Sequence, residues 1–124
     1  MTRLPLVSVV DDDESIRDSV PDLLRELGFE AEAFESASDF LSSDAIERTR
    51  CLLLDVAMPG MSGPALQQEL TRRRETVPIV FITAHADENL RTQLLEAGAV
   101  AFLYKPFTER ALLDAITKAL EVTR

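Results

Sequence analysis

The sequence predicts a doubly wound α/β domain, (βα)5, built on one five-stranded parallel sheet. Two observations predict it: short, uniformly apolar runs recur along the chain, and amphipathic segments with helical spacing separate them. A third sets the scale, since 124 residues suit one domain, 1–124, with a core of its own. Four runs read as strands: Leu6–Val10, Cys51–Leu54, Ile79–Ile82 and Ala99–Leu103. They are too short for helices and too uniformly apolar for half-exposed strands. Strands buried on both faces read this way, and they occur mostly in parallel sheets. Glu30–Phe34 alternates Ala with acidic residues and predicts a weaker strand at a sheet edge.

The helices follow in order. Ile16, Val20, Leu23, Leu24 and Leu27 define one apolar face, with Gly28 suited to the left-handed position after the last turn. Pro21 lies inside this helix, removes one backbone donor and predicts a kink. Phe40 and Leu41 mark a short second helix. Ala65, Leu66 and Leu70 mark a third, begun near Ser62 and closed by Arg72, Arg73 and Arg74. Leu90, Leu94 and Leu95 mark a fourth, with Asp87 as N-cap and Gly98 past its end. Leu112, Leu113, Ile116 and Leu120 mark a fifth, opened by Thr108. Strands alternating with helices imply right-handed crossovers and a sheet covered on both faces.

Composition narrows the function. At 46% hydrophobic and 28% charged, the chain is ordinary for a soluble globular protein. The net charge of −9 argues against direct nucleic-acid binding and against docking on an anionic membrane. Cys51 has no partner for an internal disulfide and sits in an apolar run, which predicts a buried reduced thiol. Residues Met1 to Pro5 contain no long apolar stretch of the signal-peptide kind, and no segment has transmembrane length. The expected location is cytoplasmic.

In open parallel sheets the site lies outside the carboxyl ends of the strands. Here the first strand runs into Asp11, Asp12, Asp13 and Glu14, the third ends at Asp55, the fourth at Thr83, and the fifth at Lys105-Pro106. Asp11, Asp12 and Asp55 with Lys105 leave two surplus negative charges. Clustered carboxylates raise one another's pKa unless a cation lies between them. All-oxygen ligands without His or Cys select a hard divalent ion, best Mg2+. Asp13 and Glu14 instead suit the start of the first helix. Alone, the acidic run is no more than a helix cap and solvated turn. Its joint occurrence with Asp55, Thr83 and Lys105 at four strand ends carries the functional reading.

The same residues form a family pattern. Val9-Val10-Asp11-Asp12-Asp13, then Asp55-Val56-Ala57-Met58-Pro59-Gly60-Met61-Ser62-Gly63, Ile82-Thr83-Ala84 and Lys105-Pro106-Phe107 resemble the CheY-like receiver domain of two-component response regulators. The likeness runs from Leu6 to about Leu120 and is nearest the FixJ type, partly through Ala97-Gly98-Ala99-Val100-Ala101-Phe102-Leu103-Tyr104. It implies the flavodoxin-like strand order 2-1-3-4-5. It also implies that Asp55 accepts a phosphoryl group from a sensor histidine kinase, a phosphotransfer protein or a small phosphodonor. By the same resemblance Asp12 is a direct Mg2+ ligand, Asp11 acts through water, and Ala57 gives its backbone carbonyl. Lys105 pairs with the phosphoryl oxygens, and Lys105–Pro106 is a candidate cis peptide. Thr83 hydrogen-bonds the phosphoryl group, and Ala84 leaves it room. Phe102 is the switch aromatic, turning inward as Thr83 moves, which repacks the face of the fourth helix, fifth strand and fifth helix. Tyr104 lies on the same side of the strand by period two. Ala57 and His85 hold positions that tune dephosphorylation. Ala57 offers no polar group there. His85 either bonds an attacking water or is a bystander.

The resemblance makes the domain a signalling module, not an enzyme beyond self-phosphotransfer and autodephosphorylation. A homodimer through the switch face is implied as well. FixJ-like regulators usually carry a C-terminal helix-turn-helix domain, so these residues are either a stand-alone receiver or part of a transcription factor. Three other readings compete. A haloacid-dehalogenase-like phosphatase also places Asp-x-Asp after a first strand, but leaves Asp55 unexplained and needs a cap. A flavodoxin-like cofactor binder needs hydroxyls and backbone donors where four acids stand. A pseudo-receiver would lack part of the acidic, Thr and Lys set, which is complete here.

Overall fold

A computed structural model describes residues 4–122. Residues 1–3, the start of the N-terminal stretch discussed above, and 123–124 lie outside them. The elements follow as β1 (Leu6–Val10), α1 (Glu14–Glu26), β2 (Glu30–Phe34), α2 (Ala37–Leu41), α3 (Ala45–Arg48), β3 (Thr49–Asp55), α4 (Gly63–Arg72), β4 (Ile79–Thr83), α5 (Glu88–Glu96), β5 (Ala101–Tyr104) and α6 (Glu109–Leu120). All strand pairs are parallel, in the order β2-β1-β3-β4-β5. The doubly wound (βα)5 sheet and its order match the expectation.

Alternate strand residues fill two cores. Val7, Val9, Cys51, Leu53, Val80 and Ile82 pack under α1 and α6. Leu6, Val10, Leu52, Leu54, Ile79 and Phe81 pack under α2 to α5. Burial pushes the Cys51 thiol up to about 12, so it stays protonated. No helix among the described residues is long and apolar enough to cross a membrane.

Three details depart from the sequence reading. α3 was not anticipated, because four residues show no periodicity. It is held from below: Thr49 Oγ1 donates to the Ala45 carbonyl at 2.7 Å, which leaves Ser8 to donate to Thr49 at 2.7 Å. β3 begins at Thr49 and ends at Asp55, longer than Cys51–Leu54, with a register shift on β1 that skips the exposed Arg50. β5 starts at Ala101, not Ala99. The Ala99 N–H bonds back to Leu94 and closes α5, with Gly98 at φ 112°. Pro21 lies inside the first helix, as the sequence indicates. α1 runs unbroken from Glu14 to Glu26, with Pro21 buried on its core face.

Helix ends fall where the side chains predict. Asp13, Ser36, Ser62, Asp87 and Thr108 each accept a backbone N–H in the first turn of their helix. Every parallel strand delivers its last residue to the same edge, and each cap starts the chain back down. That edge holds the site.

Candidate functional site

Asp11 is the first residue past β1 and is fully buried. Its N–H bonds to the Phe34 carbonyl at 3.1 Å, and its Oδ1 accepts the Asp13 N–H at 2.9 Å. Arg17, one turn into α1, donates Nη1 to the Asp11 carbonyl at 3.0 Å. The acidic turn is therefore pinned from β2, from its own cap and from α1. Asp12, next in the turn, is exposed.

Asp55 closes β3 and pairs in register with Ile82 of β4. The loop after it is drawn tight by the Gly63 N–H bonding to the Val56 carbonyl at 3.0 Å. A Cβ on Gly63 would clash with the Asp55 carbonyl oxygen, so only glycine fits at this approach.

Asp11, Asp12 and Asp55 each offer an oxygen, and these lie within 4.8 Å of one another. Lys105 reaches across from the end of β5. Its Nζ is 2.8 Å from Asp11 Oδ2 and 3.7 Å from Asp55 Oδ1, and Lys105–Pro106 is cis. The contact with Asp11 is an ion pair, not an aligned hydrogen bond. One cation serves three carboxylates. Burial pushes the Asp55 pKa up, the Asp11 charge adds to it, and Lys105 pulls back, leaving it at about 7. Burial opposes the charged form of Lys105. Contact with Asp11 and the charges of Asp11, Asp55 and Asp13 outweigh this and hold its pKa above the usual value. The all-oxygen donor set and its surplus charge suit a hard cation.

The other predicted residues stand around this cluster. Thr83 ends β4, one residue beyond the partner of Asp55. Its hydroxyl accepts the His85 N–H at 3.2 Å and faces the His85 carbonyl at 3.3 Å. His85 is exposed and meets Thr83 through its backbone, not its ring. Ala57 and Ala84 are exposed in the loops beyond their strands. Phe102 is half-buried on β5 and stacks between Phe81 and Tyr104. The structure thus joins Asp11, Asp12, Asp55 and Lys105 directly, joins Thr83 to His85, and keeps Phe102 in a separate aromatic row. Sequence reasoning missed Arg17. Its signal was a single arginine one helical turn after an acidic run, which reads as solvent-facing until its carbonyl partner is seen.

An open parallel sheet with an acidic, cation-seeking crevice at its carboxyl edge defines a doubly wound α/β domain whose site lies at the strand ends. The family model of the response regulator receiver domain matches residues 7–117, and the chain belongs to that family. It is 45% identical over 119 residues to Nodulation protein W of Bradyrhizobium diazoefficiens, covering 96% of this chain and 52% of that protein. Against response regulator protein TodT of Pseudomonas putida it is 40% identical over 120 residues, covering 97% and 53%. The chain therefore spans about half the length of these relatives. Among solved structures, response regulator StyR superposes with a TM-score of 0.88 at 52% identity, over 95% of this chain and 60% of that one. FixJ-N gives 0.87 at 33% identity, over 99% and 98%.

Proposed function

We propose that Asp55 is the phosphoryl acceptor of this receiver domain and that Asp11, Asp12 and Asp55 hold Mg2+. The observation that carries this reading is the assembly of three carboxylates and Lys105 at one sheet edge, with a single ammonium for all three. An Asp55 carboxylate oxygen attacks phosphorus. The bond from phosphorus to the donor's imidazole nitrogen or acyl oxygen breaks, and the donor leaves with the electron pair. Lys105 pairs with the phosphoryl oxygens once they arrive. Asp12, Asp55 and the Ala57 carbonyl would hold the cation, with Asp11 acting through water. Mg2+ supplies charge neutralisation between the attacking carboxylate and the incoming anion.

The partner is a histidine kinase or phosphotransfer protein. The domain catalyses nothing beyond its own phosphorylation and dephosphorylation, the latter tuned at Ala57 and His85. Thr83 exchanges His85 for the phosphoryl group, Phe102 turns inward, and the face of α5, β5 and α6 becomes a homodimer contact. This domain touches neither nucleic acid nor membrane and works in the cytoplasm. An output domain elsewhere in the protein would read the change.

Incubation with Mg2+ and acetyl phosphate, followed by mass mapping, tests the acceptor. One phosphoryl group per chain on the peptide holding Asp55 is expected. No adduct, or one that persists in Asp55→Asn, sinks the reading.

A further inference from the structure

An aromatic row running from β4 onto β5 ends in a misplaced hydroxyl. Phe81, Phe102 and Tyr104 follow one another with ring centroids 5.9 and 5.8 Å apart. Phe81 pairs in register with Phe102, and Thr83 with Tyr104. Tyr104 therefore shares the face of Phe102 and lies beside Thr83. The residue as a whole is half-buried, yet its hydroxyl is buried and has no hydrogen-bond partner among the described residues. This inverts the usual arrangement, in which tyrosine keeps its ring in apolar surroundings and its hydroxyl on a partner or in water. Its register neighbour offers no help, because the Thr83 hydroxyl is engaged with the His85 backbone. A buried polar group without a partner destabilises the arrangement that buries it.

We infer that Tyr104 is a positioning residue that biases the switch. Its unpartnered hydroxyl disfavours the present arrangement relative to one in which Thr83 has turned to a phosphoryl group and the phenol has gained a partner. The inference rests on Asp55 as acceptor and deepens that reading into how readily the domain responds. Linkage sets the direction. Whatever disfavours the dominant state raises, by the same factor, the apparent affinity of a ligand that selects the other. Contact between Phe102 and Tyr104, and adjacency to Thr83, place the phenol beside both moving parts.

Tyr104→Phe keeps the ring and removes the hydroxyl. Thermal unfolding of the phosphoryl-free protein should shift upward by about 2 °C or more. In an amide NMR titration with Mg2+ and beryllium trifluoride, the phosphoryl mimic should bind the variant about threefold more weakly or worse. A merely structural role moves the first readout and not the second, so a raised midpoint with unchanged affinity overturns the inference. A lowered or unchanged midpoint overturns it too, by showing that the hydroxyl is satisfied. Failure of the unaltered chain to bind the mimic, or binding that survives Asp55→Asn, instead removes the acceptor reading and this inference with it.

Discussion

Two clusters in this domain pair carboxylates with basic side chains to opposite effect. At the end of α4, Arg72 and Arg73 reach the Glu69 carboxylate at 2.6 to 2.9 Å. Those hydrogen bonds, first from Arg72 and then Arg73, hold Glu69 down at about 2. At the sheet edge, burial and Asp11 push Asp55 up to about 7 although Lys105 is close. The difference lies in stoichiometry and solvent. Two exposed guanidiniums serve one carboxylate in the first cluster, so it is complete within the chain and favoured at a helix C-terminus. One ammonium serves three carboxylates in the second, so the cluster is complete only with something added. Ion-pair distance does not separate a structural cluster from a functional one here, whereas the sign and size of the surplus charge does.

The largest expected effect comes from a change of geometry that leaves the charge untouched. Gly63→Ala forces a Cβ into the Asp55 carbonyl and Val56 and should destabilise the fold by about 2 to 4 kcal/mol, read by urea unfolding. Removing the surplus acts the other way. Asp55 has a folded pKa raised above its ordinary value, so the folded state holds the extra proton between the usual carboxylate range and about pH 7. Stability contributed by that proton is present at low pH and lost as pH rises through this window. Asp55→Asn should therefore stabilise the metal-free protein at pH 8 by about 1 to 3 kcal/mol, with the gain vanishing near pH 4.

Two substitutions at the α4 end should have smaller effects. Arg74 follows that helix at φ 61°, a left-handed position where glycine carries no Cβ penalty. Arg74→Gly should add about 0.5 to 1 kcal/mol in the same unfolding assay, so backbone matters there more than charge. Glu69→Gln removes the centre of the exposed cluster and should shift the thermal midpoint by only about a degree, less at high salt.

Most of this fold was legible because parallel strands buried on both faces leave uniform apolar runs. The runs at 6–10 and 79–82 mark strands almost to the residue, and the caps at Asp87 and Thr108 mark helix starts. What failed was local. Ala99 and Val100 are apolar like a strand but belong to the turn closing α5, since apolarity reports burial and not backbone pairing. α3 is closed by Thr49 bonding back to Ala45, and Thr49 in turn meets the distant Ser8 of β1, a contact that no local pattern encodes. The carboxylates of the site were legible because the sheet converts strand-end positions into neighbours. The Tyr104 hydroxyl and the Arg17 guanidinium were not, because side-chain direction and partner choice are decided by packing.

The crevice is short of positive charge, and the titration of Asp55 itself measures that most directly. Carboxyl-carbon NMR of the labelled protein, followed from pH 4 to 9, should place the Asp55 transition near 7 without metal. Saturating Mg2+ should move it well down, toward or below the ordinary carboxylate range. An Asp55 that titrates as an ordinary carboxylate with and without Mg2+ would contradict the account.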